Sequence, residues 1–196
     1  MSTLELKELS HPAGEVIKIA SGKTLDLKNQ GSVTMPTGSV LQVISVTKAD
    51  TWTYSGSTTF QDVTGLSIAI TPSSTSSKIL VELNININAN GRYSAVKLFR
   101  DSTQIGGGTA SGIRESVTIS AGGSNENETY SDYIMRNSSA SYLDSPNTTS
   151  ATTYKVQAGS TNSSSLLTVI NRTQADADSN WHHRGISTIT LTEIQG

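Results

Sequence analysis

Apolar and polar residues alternate most regularly in the segment KILVELNININA, between Lys78 and Ala89. A period of two sends successive side chains to opposite faces of a β-strand, and β-branched residues favour that conformation. We predict that this segment is the central strand of the main sheet. Its apolar face would carry Ile79, Val81, Leu83, Ile85 and Ile87, and its other face Leu80, Glu82, Asn84, Asn86 and Asn88.

Further short apolar segments follow along the chain, separated by turns rich in Gly, Ser, Asn and Pro. Gly65 predicts a β-bulge or a bend in one of them, and the Asn90-Gly91 pair predicts a hairpin turn. Turns at intervals of about 8 to 12 residues are typical of an antiparallel β-sandwich. Besides the central strand, we predict strands at Val40–Val46, Trp52–Tyr54, Thr59–Thr71, Tyr93–Arg100, Ile113–Ser120, Tyr130–Arg136, Ser141–Asp144, Thr152–Ala158, Leu166–Asn171 and Gly185–Ile194, with loops at Asp101–Gly112, Ala121–Glu128 and Arg172–Arg184.

Residues 1–38 have a different pattern, in which very short apolar pairs are punctuated by Gly22, Gly31 and Gly38. Segments this short cannot bury an apolar face alone, but they become stable when wound with copies of themselves. The regular glycine spacing favours such an intertwined β-stem, and a flexible linker is the alternative. Pro36 and Gly38 mark the boundary, which gives a stem at residues 1–38 and a main domain at residues 39–196.

Composition narrows the classes of partner. Charged residues make up 15% of the chain and the net charge is −2. Scattered Lys and Arg residues argue against a nucleic-acid surface, which needs a clustered basic patch. The absence of cysteine excludes disulfides and thiolate metal sites. No apolar run is long enough for a signal core or a membrane span, so we expect no membrane insertion.

Catalytic motifs are missing as well. The sequence contains no G-x-S-x-G nucleophile elbow, and neither a helical pattern nor a lysine follows Gly106–Gly108 as a phosphate loop requires. We therefore predict a protein that is not an enzyme. The polar face with Asn84, Asn86 and Asn88 can pack only where its amides find partners, and we expect those partners in sister copies around a threefold axis.

Several strings resemble a widespread group of phage virion proteins, described mostly as fibre or structural proteins of marine and cyanobacterial phages. They are FQDVTGLSIAITPSSTSSKILVELNIN, VKLFRDSTQIG, YLDSPNTTSATTYKVQ and STITLTEI, and the resemblance covers roughly residues 40–196. The strand order is similar to the C1q/TNF-type jelly roll, which assembles as a trimeric head, and GKTLDLKNQGSVTMP resembles shaft or anchor segments of phage fibres.

The resemblance implies a homotrimeric, non-enzymatic appendage displayed on the exterior of the virion. Residues 1–38 would bind other virion proteins, and the jelly-roll knob would contact the host surface as part of a tail fibre or spike. The alternative is a capsid-decorating protein, a cement protein or head fibre, whose main contacts are capsid subunits. Copy number per virion separates the two.

The candidate site residues lie in loops that a jelly roll of this order would bring to the end far from the stem. Trp181 offers an aromatic platform for a sugar, and neighbouring Asp, Asn and His side chains could bond its hydroxyl groups; a host protein is the alternative ligand. For each residue singly, an ordinary exposed turn position is the alternative. The candidates are Asn90, Arg92, Tyr93, Asn125, Asn127, Asp176, Asp178, Trp181, His182 and His183.

A metal is the remaining interpretation of the loop QADADSNWHHRG. Asp176 and Asp178 with loop carbonyls offer the oxygen ligands that Ca²⁺ prefers, and the resemblance to C1q-like heads places this loop at an apex where calcium can bind. His182 and His183 could instead ligate a transition metal on a threefold axis. The spacing matches no complete metal motif, so our expectation is a solvated loop without a required cofactor.

Overall fold

The computed structural model describes residues 21–23, 34–55, 58–89, 94–121, 133–160 and 167–196. The chain divides into two compact units, Met1–Thr34 and Met35–Gly196. The predicted stem therefore lies largely outside the described residues. Within the second unit, Ser39 closes a turn on Pro36, and Gly38 N–H donates to the carbonyl of Gln195, which ties the beginning of the domain to its last strand.

The described part of the chain is all-β, with antiparallel strands in two sheets, as the alternation of residues predicted. None of its described segments is a helix that is long and apolar enough to cross a membrane. The strands are Val40–Lys48 (β1), Trp52–Tyr54 (β2), Phe60–Ile70 (β3), Lys78–Ala89 (β4), Ser94–Arg100 (β5), Thr103–Ile105 (β6), Ile119–Ser120 (β7), Arg136–Asp144 (β8), Thr152–Ser160 (β9), Thr168–Ile170 (β10) and Ser187–Ile194 (β11).

The first sheet is built around β4, as its length and alternation predicted. Strand β11 pairs with β4 along Lys78–Asn84 and β10 pairs with it along Ile87–Ala89. Strand β8 follows the opposite edge of β4 from Ile79 to Ile87. Strands β1 and β2 pair with β11 and β10 in turn. The chain between β10 and β11, residues 171–186, is therefore an excursion between two strands that share one edge of β4.

The second sheet has the order β3-β9-β5, with β6 and β7 both paired to the outer edge of β5. The register of β3 on β9 shifts between Asp62 and Ser67. Gly65 lies within this shift at φ +88°, a backbone conformation that L side chains rarely adopt. This shift agrees with the bulge or bend predicted at Gly65, and it is wider than a one-residue bulge, since β3 advances five residues while β9 advances two.

One apolar core lies between the two sheets. Alternate residues of β3, β4, β9 and β11 point into it, so each sheet has one inner and one outer face. Burial of these side chains, at about 25 cal/mol per Å² of apolar surface, is the main favourable term in folding. The core contains Val63, Leu66, Ile70, Ile79, Val81, Leu83, Ile85, Ile87, Val96, Leu98, Tyr154, Val156, Ala158, Ile170, Ile189 and Leu191.

One loop prediction and two strand predictions are wrong in part. The predicted loop Asp101–Gly112 contains β6, and the predicted strand Ile113–Ser120 is strand only at Ile119–Ser120. The predicted strand Ser141–Asp144 is confirmed and belongs to a longer strand that begins at Arg136, whereas the described part of the predicted strand Tyr130–Arg136 is strand only at Arg136. The polar middle of the longer strand, NSSAS, has no apolar face of its own, and its pairing with β4 makes it a strand.

Candidate functional site

The loop at residues 171–186, between β10 and β11, contains the predicted site residues that the structure describes. Asn171 starts it at φ 63° and is fully buried. Its Nδ2 donates to the carbonyls of Lys48 and Asp50, at 2.8 and 3.0 Å. Its Oδ1 accepts from Ser187 Oγ at 2.6 Å, and Gly185 N–H donates to its carbonyl. One asparagine therefore fastens both ends of the loop to the first sheet.

An acidic residue between two arginines holds the middle of the loop. Asp176 pairs with Arg172 at 3.1 Å and with Arg184. Arg172 is buried against β2, where its Nε and Nη2 donate to Thr53 Oγ1. The carboxylate of Asp176 is thus occupied by two guanidinium groups. A calcium ion at Asp176 would have to displace both guanidinium groups, so calcium binding there stays a prediction.

His182 is fixed in a similar way. Its Nδ1 lies 2.8 Å from the carbonyl of Ala177 and 2.9 Å from Ser179 Oγ, and its ring stacks on Tyr133 with 5.3 Å between centroids. Its Nε2 is buried without a hydrogen-bond partner. Neither ring nitrogen is open for a metal ion. Among the residues that the structure describes, no group of three His, Cys, Asp or Glu side chains is placed to hold a metal.

Trp181 projects from this fixed loop with 66% of its surface exposed. Three further large apolar or aromatic side chains near the loop are exposed. They are Tyr133, Ile134 and Ile186. Tyr133 stacks on His182, Ile134 accepts a hydrogen bond from Asn88, and Ile186 accepts one from Asn86. A rigid loop with exposed aromatic rings suits binding, because little conformational entropy is lost when a ligand docks.

The other predicted site residues are either outside the described residues or simply exposed in the loop. Asn90, Arg92, Tyr93, Asn125 and Asn127 lie outside the described residues. Asp178 and His183 are exposed in the 171–186 loop. Sequence reasoning missed Tyr133, Ile134 and Ile186, which it treated as parts of strands. The only sequence signal for them was an apolar residue next to a polar segment, and that signal is too common to use.

The outer face of the first sheet is the second candidate surface. Cross-strand neighbours line up in rows, because β1, β11, β4 and β8 pair without a register shift in this region. One row carries Ser45, Thr190, Glu82 and Ser141, and the next carries Thr47, Thr188, Asn84 and Ser139. A shallow open concavity of about 600 Å³ lies over these rows.

A third row, at one end of this face, is largely apolar. It consists of Val43, Thr192, Leu80 and Leu143. Val43 and Leu143 are 58% and 53% exposed. This outer face therefore combines two exposed apolar side chains and rows of hydroxyl groups with few charges.

Each of the three asparagines of this face has at least one hydrogen-bond partner within the chain. Asn84 accepts from Asn137 of β8, Asn86 Nδ2 donates to the carbonyl of Ile186, and Asn88 Nδ2 donates to the carbonyl of Ile134 at 2.5 Å. Their amides therefore do not require a sister copy. The argument for a partner rests on the exposed apolar row and the lack of charge.

The outer face of the second sheet is charged by comparison. Lys155 pairs with Asp62 at 2.8 Å, and this ammonium group holds the pKa of Asp62 below its usual range. Lys97 pairs with Glu115 and lies 4.0 Å from the centroid of the Phe60 ring. These groups satisfy one another within the chain, so this face needs no partner.

Comparisons with known proteins add little to this geometry. No protein-family model and no curated protein matches the sequence. Among solved structures, the chain is similar to the VP2 subviral particle of infectious bursal disease virus, with 11% identity and a TM-score of 0.39. The match covers 88% of this chain and 46% of the VP2 chain, so the chain spans about half of that protein's length. Similarity at this level carries no argument about function.

Proposed function

We propose that the protein is a non-catalytic structural protein of a phage virion, a homotrimeric tail fibre or spike displayed on the particle exterior. The resemblance of residues 60–86 and 142–157 to phage virion proteins supports the virion assignment. The strand order supports a jelly-roll knob, because the chain crosses several times between a six-stranded and a five-stranded antiparallel sheet. Residues 1–38 anchor the knob to other virion proteins.

The observation that carries the proposal is the contrast between the two outer faces. Charge and ion pairs cover the outer face of the second sheet, whereas the first sheet exposes Val43 and Leu143 beside rows of Ser and Thr. Burying a surface like that of the first sheet stabilises an oligomer, because apolar area leaves water and few charges lose their hydration. The first sheet therefore faces the threefold axis.

Oligomeric state is the first test. Size-exclusion chromatography with light scattering of the full chain is expected to give three times the mass of one chain, 20.7 kDa. A monomer at micromolar concentration would contradict the trimer. Counting copies per virion by quantitative mass spectrometry then separates a fibre, present in tens of copies, from a capsid-decorating protein in hundreds.

Host contact is the second test. The 171–186 loop presents Trp181 to the host surface, and the ligand is a glycan. Replacing Trp181 with alanine is expected to weaken binding of the protein to host cells and to a glycan array at least about tenfold, since interface Trp residues commonly carry more than about 2 kcal/mol. Ser67→Ala, on the exposed second sheet, is the control and should bind normally. Equal binding of both variants would remove the loop from the contact surface.

A further inference from the structure

A hairpin between β6 and β7 is the most exposed apolar element of the described chain. Its tip is a turn in which Arg114 N–H donates to the carbonyl of Ser111 at 3.1 Å, with Gly112 at φ +60°. Ile113 lies at the tip and is fully exposed, at 104% of its reference area. Arg114 beside it is exposed as well. An isoleucine in this position contributes nothing to the core.

The base of this hairpin is held in place. Ser116 Oγ donates to the carbonyl of Gly108 at 2.6 Å, and Gln104 Nε2 donates to the carbonyl of Ser116 at 2.9 Å. Gly107 packs so closely on Ser116 that a Cβ atom there would lie 2.4 Å from the hydroxyl oxygen. The tip is therefore displayed in a defined position, which lowers the entropic cost of using it in a contact.

The outer face of the first sheet offers a matching surface. Glu82 is the one charged residue among its described rows of Ser, Thr and Asn, and it is exposed. Its carboxylate makes no hydrogen bond or ion pair with any residue that the structure describes. Leu80, two positions earlier on the same face, belongs to the apolar row with Val43 and Leu143. Two positions along a strand span about 6.5 to 7 Å, so an apolar contact and an acidic contact lie side by side on this face.

From this match we infer that the Ile113–Arg114 tip of one protomer docks on the outer face of the first sheet of the next protomer. Ile113 packs on the apolar row, and Arg114 pairs with Glu82. The contact joins two different surfaces, so it runs head to tail, and a head-to-tail contact closes into a ring when the rotation is right. A threefold ring needs a contact of this kind, whereas a face that binds only itself makes a dimer. The inference rests on the trimer proposed above and names the surfaces that form it.

Charge reversal tests the contact on the full chain. Glu82→Arg and Arg114→Glu are each expected to raise the trimer dissociation constant at least about tenfold, because each places like charges together in the contact. The double variant carries the two charges in exchanged positions, so opposite charges again face each other. It is expected to return the trimer dissociation constant to within about threefold of the unmodified protein. Asp178→Arg, an exposed reversal in the 171–186 loop, is the matched control and should leave it unchanged.

Mass photometry over a dilution series measures these constants, and circular dichroism shows that each variant keeps its strands. If the trimer dissociation constant is unchanged in both single variants, the proposed Arg114–Glu82 contact is overturned. The proposal that the protein is a trimer is not affected by that result. Single variants that dissociate without rescue in the double variant also overturn the pairing. A monomeric unmodified protein overturns the trimer and this contact together. Ile113→Ser, which removes apolar area without changing charge, is expected to weaken the trimer in the same direction.

Discussion

Individual buried polar side chains in this sandwich depend on specific hydrogen-bond partners. Glu193 of β11 is fully buried although it faces no cation. Burial alone would raise the pKa of its carboxyl, but hydrogen bonds from Gln42 and from the hydroxyl and backbone N–H of Ser73 outweigh burial and lower it. The carboxylate thereby joins the start of β1 and the turn after β3 to the last strand. The alternating pattern STITLTEI places this glutamate on the buried face with Ile189 and Leu191, but it does not show which groups hold the carboxylate there.

The lowered pKa of Glu193 predicts acid sensitivity. A carboxyl with a lower pKa in the folded protein contributes stability that is present above its unfolded pKa, about 4.3, and lost as the pH falls through the folded value. Glu193→Gln should lower the free energy of unfolding by about 1–3 kcal/mol at pH 7 and by less at pH 3.5. Urea denaturation at both pH values measures this difference. Asp178→Asn is the exposed control, and an equal effect of Glu193→Gln at both pH values would contradict the argument.

At the scale of elements, local sequence decides turns and bulges, whereas neighbours decide the marginal strands. Gly65 and Asn171 both adopt positive φ, at 88° and 63°. The bulge at Gly65 could be predicted because only glycine adopts such a conformation without strain. The role of Asn171 could not, because the carbonyls of Lys48 and Asp50 that it binds come from the end of β1 and the turn after it, more than a hundred residues earlier.

Asn171 should therefore be far less replaceable than another asparagine with the same backbone. Asn147 also has positive φ, at 54°, but is exposed. Both alanine variants pay about 1 kcal/mol for the left-handed conformation, and Asn171→Ala in addition leaves buried carbonyls without a donor, at about 1–3 kcal/mol. Thermal and urea unfolding of the two variants measure the difference. Equal destabilisation would show that the hydrogen bonds of Asn171 do not hold the 171–186 loop.

In the whole molecule, the two sheets are joined by a polar cluster as well as by the apolar core. Asp144, at the end of β8 in the first sheet, accepts from Arg100 of β5 at 2.9 Å and from the Tyr154 hydroxyl of β9 at 2.6 Å. Burial, and then the hydrogen bond to Asp144, raise the pKa of Tyr154, so its phenol remains a donor. Three strands from both sheets meet at this carboxylate.

Removing the carboxylate is predicted to separate this corner of the sandwich. Asp144→Ala should cost about 3–5 kcal/mol of unfolding free energy, since it leaves Arg100 without its counter-charge. Tyr154→Phe removes one hydrogen bond and should cost about 1–2 kcal/mol. Asp62→Ala, in an ion pair on the solvent side of the second sheet, should cost no more than about 1 kcal/mol. An Asp144→Ala variant as stable as Asp62→Ala would rule out this role for the cluster.

The sequence by itself determined the all-β class, the central strand at Lys78–Ala89 and the bulge at Gly65, because each follows from side-chain period or from glycine's backbone freedom within a few residues. The tertiary structure decided the rest. It made Arg136–Asp144 one strand by pairing it with β4, and it placed the projecting hairpin where Ile113–Ser120 had been predicted as a strand. It also supplied partners inside the chain for Asn84, Asn86 and Asp176. Hydrogen bonds between residues far apart in the sequence leave no periodic signal in the chain, so only the folded arrangement could assign them.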